Sequence, residues 1–149
     1  MICVALFCFA ITACDKKDDC PAPSTKNTEL VKAELNYFLT GDIPSFLAGC
    51  DNACTYDLVG NQILNPGKVY IGNDGFMSFL GDLSAKGQPT GFEPFEFFES
   101  GEEVTVTARL TFNDIVTNQT CSVNLVQIWK FKNGKVVLLK EDNDNRVCE

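Results

Sequence analysis

The sequence contains no histidine, and it carries only one tryptophan and two methionines. Without histidine there is no Ser-His-Asp or Cys-His nucleophile and no imidazole ligand for a metal. Positive charge is scarce as well. Twelve Lys and Arg stand against 20 Asp and Glu, a net charge of −8. Such a chain repels the phosphate backbone it would have to neutralise, so nucleic acid is not an expected partner. No apolar run reaches the roughly 20 residues that a spanning helix needs. What is present in quantity is cysteine, with eight, and phenylalanine, with twelve, in 149 residues. With 45% hydrophobic and 21% charged residues, the chain reads as one globular domain able to bury its own core.

The one apolar run is Met1 to Ala13, with no charge before Asp15. As a helix it would rise about 20 Å against a bilayer core of about 30 Å, a length that suits the apolar region of a signal peptide. Its end, Ile11-Thr12-Ala13-Cys14, resembles a bacterial lipobox, although no Lys or Arg precedes the run. The resemblance implies cleavage before Cys14 and lipidation of Cys14, hence an exported lipoprotein held on a bilayer. The following Lys17-Asp18-Asp19 resembles the tag that sends some outer-membrane lipoproteins to the cell surface; the alternative is a solvated tether. Pro21 to Thr25 reads as a linker. The expected organisation is a signal at 1–13, a tether at 14–27, a domain at 28–145 and a tail at 146–149 tied down by Cys148.

Export places the remaining cysteines in an oxidising compartment. Cys20, Cys50, Cys54, Cys121 and Cys148 are odd in number, and Cys20 in the tether is the expected leftover. The other four allow three connectivities. Phe131-Lys132-Asn133-Gly134-Lys135-Val136 is a two-residue hairpin signal. If Lys132 opposes Lys135, Cys121 falls opposite residue 146, close to Cys148. Cys121–Cys148 is therefore one expected disulfide, and Cys50–Cys54, across a helix-to-strand turn, is the other. Four cysteines without a second C-x-x-C pair are not a zinc pattern, and neither metal nor cofactor is expected.

Helical spacing of Leu30, Val31, Leu35 and Phe38 predicts a helix that Gly41 stops. Asp42 caps a second, short helix with Pro44 in its first turn. A strand is expected at Ala53–Val59 and another at Lys68–Gly72. Asn73-Asp74 would cap a third helix bearing Phe76, Phe79, Leu80 and Leu83. Strands follow at Gly91–Glu99, Glu103–Asn113, Cys121–Lys132 and Lys135–Glu141. Helices first and an antiparallel meander after is an α+β plan.

Three segments resemble the nuclear transport factor 2-like superfamily, with its SnoaL-like and ketosteroid-isomerase-like groups. Tyr37-Phe38-Leu39-Thr40-Gly41-Asp42-Ile43 is similar to the family's first-helix ending. Tyr70-Ile71-Gly72-Asn73-Asp74-Gly75-Phe76 is similar to its entry to the third helix. Trp129 to Val136 resembles its last hairpin. The resemblance spans residues 30–144 and implies a cone: a curved antiparallel sheet wrapped around the N-terminal helices, with an apolar pocket at its open end. Ala53-Cys54-Thr55-Tyr56-Asp57-Leu58-Val59-Gly60 resembles the segment that carries the isomerase's catalytic aspartate, which would make Asp57 the general base. Gln127 stands where that enzyme has its oxyanion-binding acid, and Tyr37 is the candidate phenol. The strand alternation puts Gln127 on one face with Trp129, and the hairpin register sets Lys140 opposite Gln127. The expected pocket is thus Tyr37, Asp57, Gln127, Trp129 and Lys140. The phenylalanines at 92, 95, 97 and 98 are either a ligand platform or packing within the core and a homodimer. Three readings follow: a lipid-anchored module binding a small apolar ligand without catalysis, an isomerase, dehydratase or hydrolase of a small carbonyl compound, or a structural homodimer in a surface assembly.

Overall fold

The computed structural model describes residues 26–64 and 66–149. The apolar segment 1–13, Cys14, Cys20 and the linker up to residue 25 lie outside the described residues. The chain forms α1 (Lys26–Thr40), α2 (Ile43–Gly49), β1 (Cys50–Gly60), β2 (Val69–Ile71), α3 (Gly72–Ser84), β3 (Gly87–Ser100), β4 (Glu103–Asp114), β5 (Gln119–Lys132) and β6 (Lys135–Cys148).

Each N-terminal helix is bounded by a local chemical reason. At the start of α1 the Glu99 carboxylate accepts from the Thr28 amide at 2.9 Å and the Thr28 hydroxyl at 2.7 Å, a negative group where a helix exposes free N–H donors. At its end Gly41 takes φ +74°, and the Gly41 and Asp42 amides close back on the Phe38 and Tyr37 carbonyls, the Schellman pattern that only a residue tolerant of positive φ completes readily. Asp42 then caps α2 by accepting from the Ser45 amide. The third helix departs from expectation. It begins at Gly72, and no side chain caps it. Gly72 has φ +68°, and a Cβ there would lie 2.7 Å from the Asn52 carbonyl oxygen, so close backbone approach sets this start.

The strands make one curved, open sheet in the order β2-β1-β6-β5-β4-β3. β1 pairs parallel with β6, and the other neighbours are antiparallel. This is the α+β cone that the sequence implied. Along β4, Val104, Val106, Ala108, Leu110 and Phe112 are buried and the residues between them face outward. The inner face packs on Val31 and Leu35 of α1, Phe46 of α2, and Phe76, Phe79 and Leu83 of α3. The edge strand β3 starts at Gly87, earlier than expected, and is bent by register shifts next to Pro89 and Pro94. Those bends split its phenylalanines: Phe92 and Phe97 pack on the core, while Phe95 and Phe98 are exposed.

The hairpin of β5 and β6 turns through Asn133 and Gly134, both at positive φ, as a tight two-residue turn requires. Lys132 opposes Lys135 and Phe131 opposes Val136, as expected. Between Phe131 and Lys130 the register slips by one, and it slips again between Asn124 and Ser122. The second slip brings Cys148 directly opposite Cys121, where the two form a disulfide. β6 runs on to Cys148, so residues 146–148 belong to the sheet.

Candidate ligand pocket and its buried carboxylate

A one-residue slip in a strand exchanges its two faces. Beyond the first bulge of β6 the buried residues are therefore Leu139, Glu141 and Asn143. Glu141 is the residue opposite Gln127; Lys140 is opposite Ile128. The slip turns a carboxylate into the cone where a straight hairpin would have placed an ammonium beside the amide.

Glu141 is held from three sides. Gln127 Nε2 donates to Oε2 at 2.8 Å, Asn61 Nδ2 to Oε1 at 2.7 Å, and Asn143 Nδ2 to Oε1 at 3.4 Å. Gln127 Oε1 accepts from Trp129 Nε1 at 3.2 Å, so donors run in one direction from indole to amide to carboxylate. Asn61 is fixed by its own turn: its Oδ1 accepts from the amides of Ile63 and Leu64. Gln62 straps the same loop to Asn143 through its amide and its side chain. Burial pushes the Glu141 pKa above the usual carboxylate range, opposed by the hydrogen bonds from Gln127, Asn143 and Asn61. Each of these buried side chains has a partner, as buried polar groups require.

Two small hollows adjoin this carboxylate, of about 50 and 40 Å³, and both are lined by Leu35, Phe38, Phe79, Gln127 and Glu141. Each has room for one or two waters. Around the deeper hollow the rings of Phe46 and Phe76 stack at 4.5 Å between centroids, and Tyr56 meets Phe76 at 5.0 Å. Outside them lies an open cleft of about 770 Å³ between the end of α1, the end of α3 and the start of β3. Phe38, Leu39, Leu83 and Pro89 line both this cleft and the outer hollow, and they form the partition between the two.

Of the expected pocket residues, Gln127 and Trp129 are at the cavity. Asp57, Tyr37 and Lys140 line neither hollow. In β1 the inward side chains are Cys54, Tyr56 and Leu58, so Asp57 projects from the opposite face, where it accepts weakly from the Val59 amide at 3.4 Å. Lys140 is on that outer face too, paired with Asp142 at 3.5 Å. Asp57 and Lys140 are register partners there, away from the pocket. Tyr37 packs half-buried on α1 against the core. The expected Cys50–Cys54 bridge is not formed: both are buried free thiols. Glu141 and Asn61 escaped the sequence reading, Glu141 because the bulge is invisible in the alternation, and Asn61 because it lies in a turn-rich stretch. Among the described residues no three His, Cys, Asp or Glu are grouped to hold a metal ion.

No family model matches the sequence, and no curated protein does. Solved structures do match. An NTF2-like protein of Burkholderia xenovorans superposes with a TM-score of 0.71 at 24% identity, over 81% of this chain and 91% of the other. An NTF2-like protein of unknown function from Burkholderia pseudomallei gives 0.70 at 22%, over 81% and 92%. The chain has the nuclear transport factor 2-like fold. A protein of Mesorhizobium loti described as a SnoaL-like polyketide cyclase shares this NTF2-like fold, with a TM-score of 0.61 at 13% identity over 77% and 97% of the two chains. Identities this low carry architecture alone, so the chemistry of this NTF2-like cone has to be argued from its own residues.

Proposed function

We propose that the cone binds a small, largely apolar molecule that presents one hydrogen-bonding group to Glu141. The observation that supports this reading is a buried carboxylate beside a hollow walled by aromatic rings, with an open cleft on the far side of the Phe38, Leu39, Leu83 and Pro89 wall. Pockets of this composition, apolar with a few convergent polar groups, are where small ligands bind. The present hollows are too small for such a ligand, so it occupies the cleft and displaces the Phe38–Leu39 partition. Native mass spectrometry of the purified protein tests this. An adduct on the wild type that is lost in Glu141→Gln supports the reading; an unliganded wild type that also fails to bind a panel of small ketones, phenols and fatty acids overturns it.

The raised pKa of Glu141 favours a second reading, an isomerase, dehydratase or hydrolase in which Glu141 moves a proton, in the role expected of Asp57. The same ligand returned chemically altered by the wild type and unaltered by Glu141→Gln would decide for it. We further propose that the domain is exported and anchored to a bilayer through lipidated Cys14. Continued membrane fractionation of Cys14→Ala would refute that. A homodimer through the outer sheet face, where Phe95, Phe98 and Val126 are exposed, is tested by size-exclusion mass with and without Thr107→Glu.

A further inference from the structure

The three amides around Glu141 are fixed in one orientation, each by a different donor. Gln127 Oε1 accepts from Trp129 Nε1 at 3.2 Å. Asn61 Oδ1 accepts from the Ile63 and Leu64 amides at 2.9 and 3.1 Å. Asn143 Oδ1 accepts from the Gln62 amide at 2.7 Å. With every amide oxygen tied elsewhere, each side chain turns an N–H group on Glu141 and nothing that accepts. A protonated carboxyl would set its own O–H against one of these donors, whereas a carboxylate accepts from all three. The surroundings are built for the charged form.

The chain itself does not balance that charge. Among the described residues no Lys or Arg lines either hollow or the cleft outside them, and none forms an ion pair with Glu141. Lys140 is turned to the outer face with Asp142, and the Asp142 charge that acts on Glu141 has the same sign. Buried charges are ordinarily paired. The walls favour the same missing partner. Phe38, Phe46, Phe76, Phe79 and Tyr56 line the deeper hollow, each ring within 6.4 Å of another between centroids. Aromatic faces are negative and attract a cation; a neutral alcohol or ketone gains only apolar contact from them.

We propose that the pocket takes a protonated amine, with its ammonium on the Glu141 carboxylate and its apolar body among these rings. The proposal rests on the reading of the cone as a ligand pocket and names the charge of what enters it. The ammonium supplies the opposite charge, and it brings an N–H donor to Oε2, which accepts from Gln127 alone among the described residues. An opposite charge in contact also reverses the upward push of burial on the Glu141 pKa. Binding makes and breaks no covalent bond. An anionic ligand is repelled by the same carboxylate.

The test is calorimetric titration of the full chain, in neutral buffer, with phenethylamine, phenethyl alcohol and phenylacetate, which share a ring and a chain length and differ in charge. The amine should bind at least tenfold more tightly than the alcohol, phenylacetate more weakly than either, and the gap between amine and alcohol should close in Glu141→Gln. Methylammonium carries the charge without the ring and should bind the wild type at least tenfold more weakly than phenethylamine, which separates the pocket from the acidic surface even where Glu141→Gln does not fold. Alcohol or phenylacetate bound as tightly as the amine overturns the proposal and leaves the ligand pocket standing. Methylammonium bound as tightly as phenethylamine, or an amine preference unchanged in folded Glu141→Gln, overturns it too. Binding of none of the probes also overturns it, and the panel of ketones, phenols and fatty acids then decides separately whether the pocket reading survives.

Discussion

Gln127 stands directly opposite Glu141 across the last hairpin, and its amide nitrogen donates to the glutamate carboxylate at 2.8 Å while its oxygen accepts from Trp129. That one residue satisfies an indole and a carboxylate at once. Gln127→Leu therefore leaves two buried polar atoms, Trp129 Nε1 and Glu141 Oε2, without this partner. Each such loss costs about 1–3 kcal/mol. We expect urea unfolding to show a drop of about 2–5 kcal/mol, with the variant's near-ultraviolet tryptophan signal altered. A loss below about 1 kcal/mol would mean that water replaces the amide.

Asp57 provides the contrasting case. Its side chain faces away from the cone and its hydrogen bond to Val59 is long. Asp57→Asn should change stability by less than about 0.5 kcal/mol and leave ligand occupancy as in the wild type. Occupancy lost in Asp57→Asn and kept in Glu141→Gln would reverse the assignment of the pocket carboxylate.

The pH dependence of stability has a definite sign. Burial raises the Glu34 pKa from 4.5 to about 7, with Lys135 acting against the shift. A carboxyl whose folded pKa is raised contributes fully below its unfolded pKa, and the contribution is lost as pH rises through the folded value. Stability should thus fall between about pH 4.5 and 7, and Glu34→Gln should flatten that limb. Glu141, raised by burial, adds to the decline in the same direction. Asp114 works the other way: the Thr117 amide and Arg146 lower its pKa, so its contribution is lost as pH falls. Urea midpoints across pH 4 to 8 check both limbs; a Glu34→Gln profile parallel to the wild type would contradict the assignment.

Cys121 and Cys148 close a loop with a sequence separation of 27 residues. Opening it with Cys121→Ala and Cys148→Ala together should cost about 2–4 kcal/mol by releasing the unfolded chain. Arg146, whose Nε donates to Cys148 Sγ at 3.3 Å and whose guanidinium lies over Phe112, loses a neighbour too. Denaturant unfolding with matched slopes gives the number.

Gly72 tests the start of α3. Gly72→Ala places a Cβ against the Asn52 carbonyl at a positive φ, which costs about 1–3 kcal/mol. Gly81→Ala, on the same helix with nothing within 4 Å of the added Cβ, should be neutral or stabilising. Equal melting temperatures for the two variants would contradict the close approach.

The architecture was legible where chemistry is local. Gly41-Asp42 announces one helix end and the next cap, Asn133-Gly134 announces a hairpin, and the alternation from Val104 to Phe112 announces a strand with one buried face. Half of the pocket was legible on the same ground, because Gln127 and Trp129 share a face with apolar neighbours. What could not be read were departures from periodicity. The bulge beside Val136 and Val137 leaves no mark in the residue types, and it moves Lys140 out and Glu141 in. Asp57 carried a family motif but had the wrong strand parity once β1 was placed. Cys50 and Cys54 are both buried, and the expected bridge between them is not formed.

The bulge of β6 gives the pocket a second kind of variability. Its lining depends on a count of residues and not only on their identities. Inserting one residue between Leu139 and Lys140, with the bulge kept, would set Lys140 opposite Gln127 and offer it to the interior in place of Glu141. The group opposite Gln127 would pass from acidic to basic with no residue substituted. A chain of this kind can exchange the sign of the charge facing one pocket residue by gaining a single residue outside the pocket.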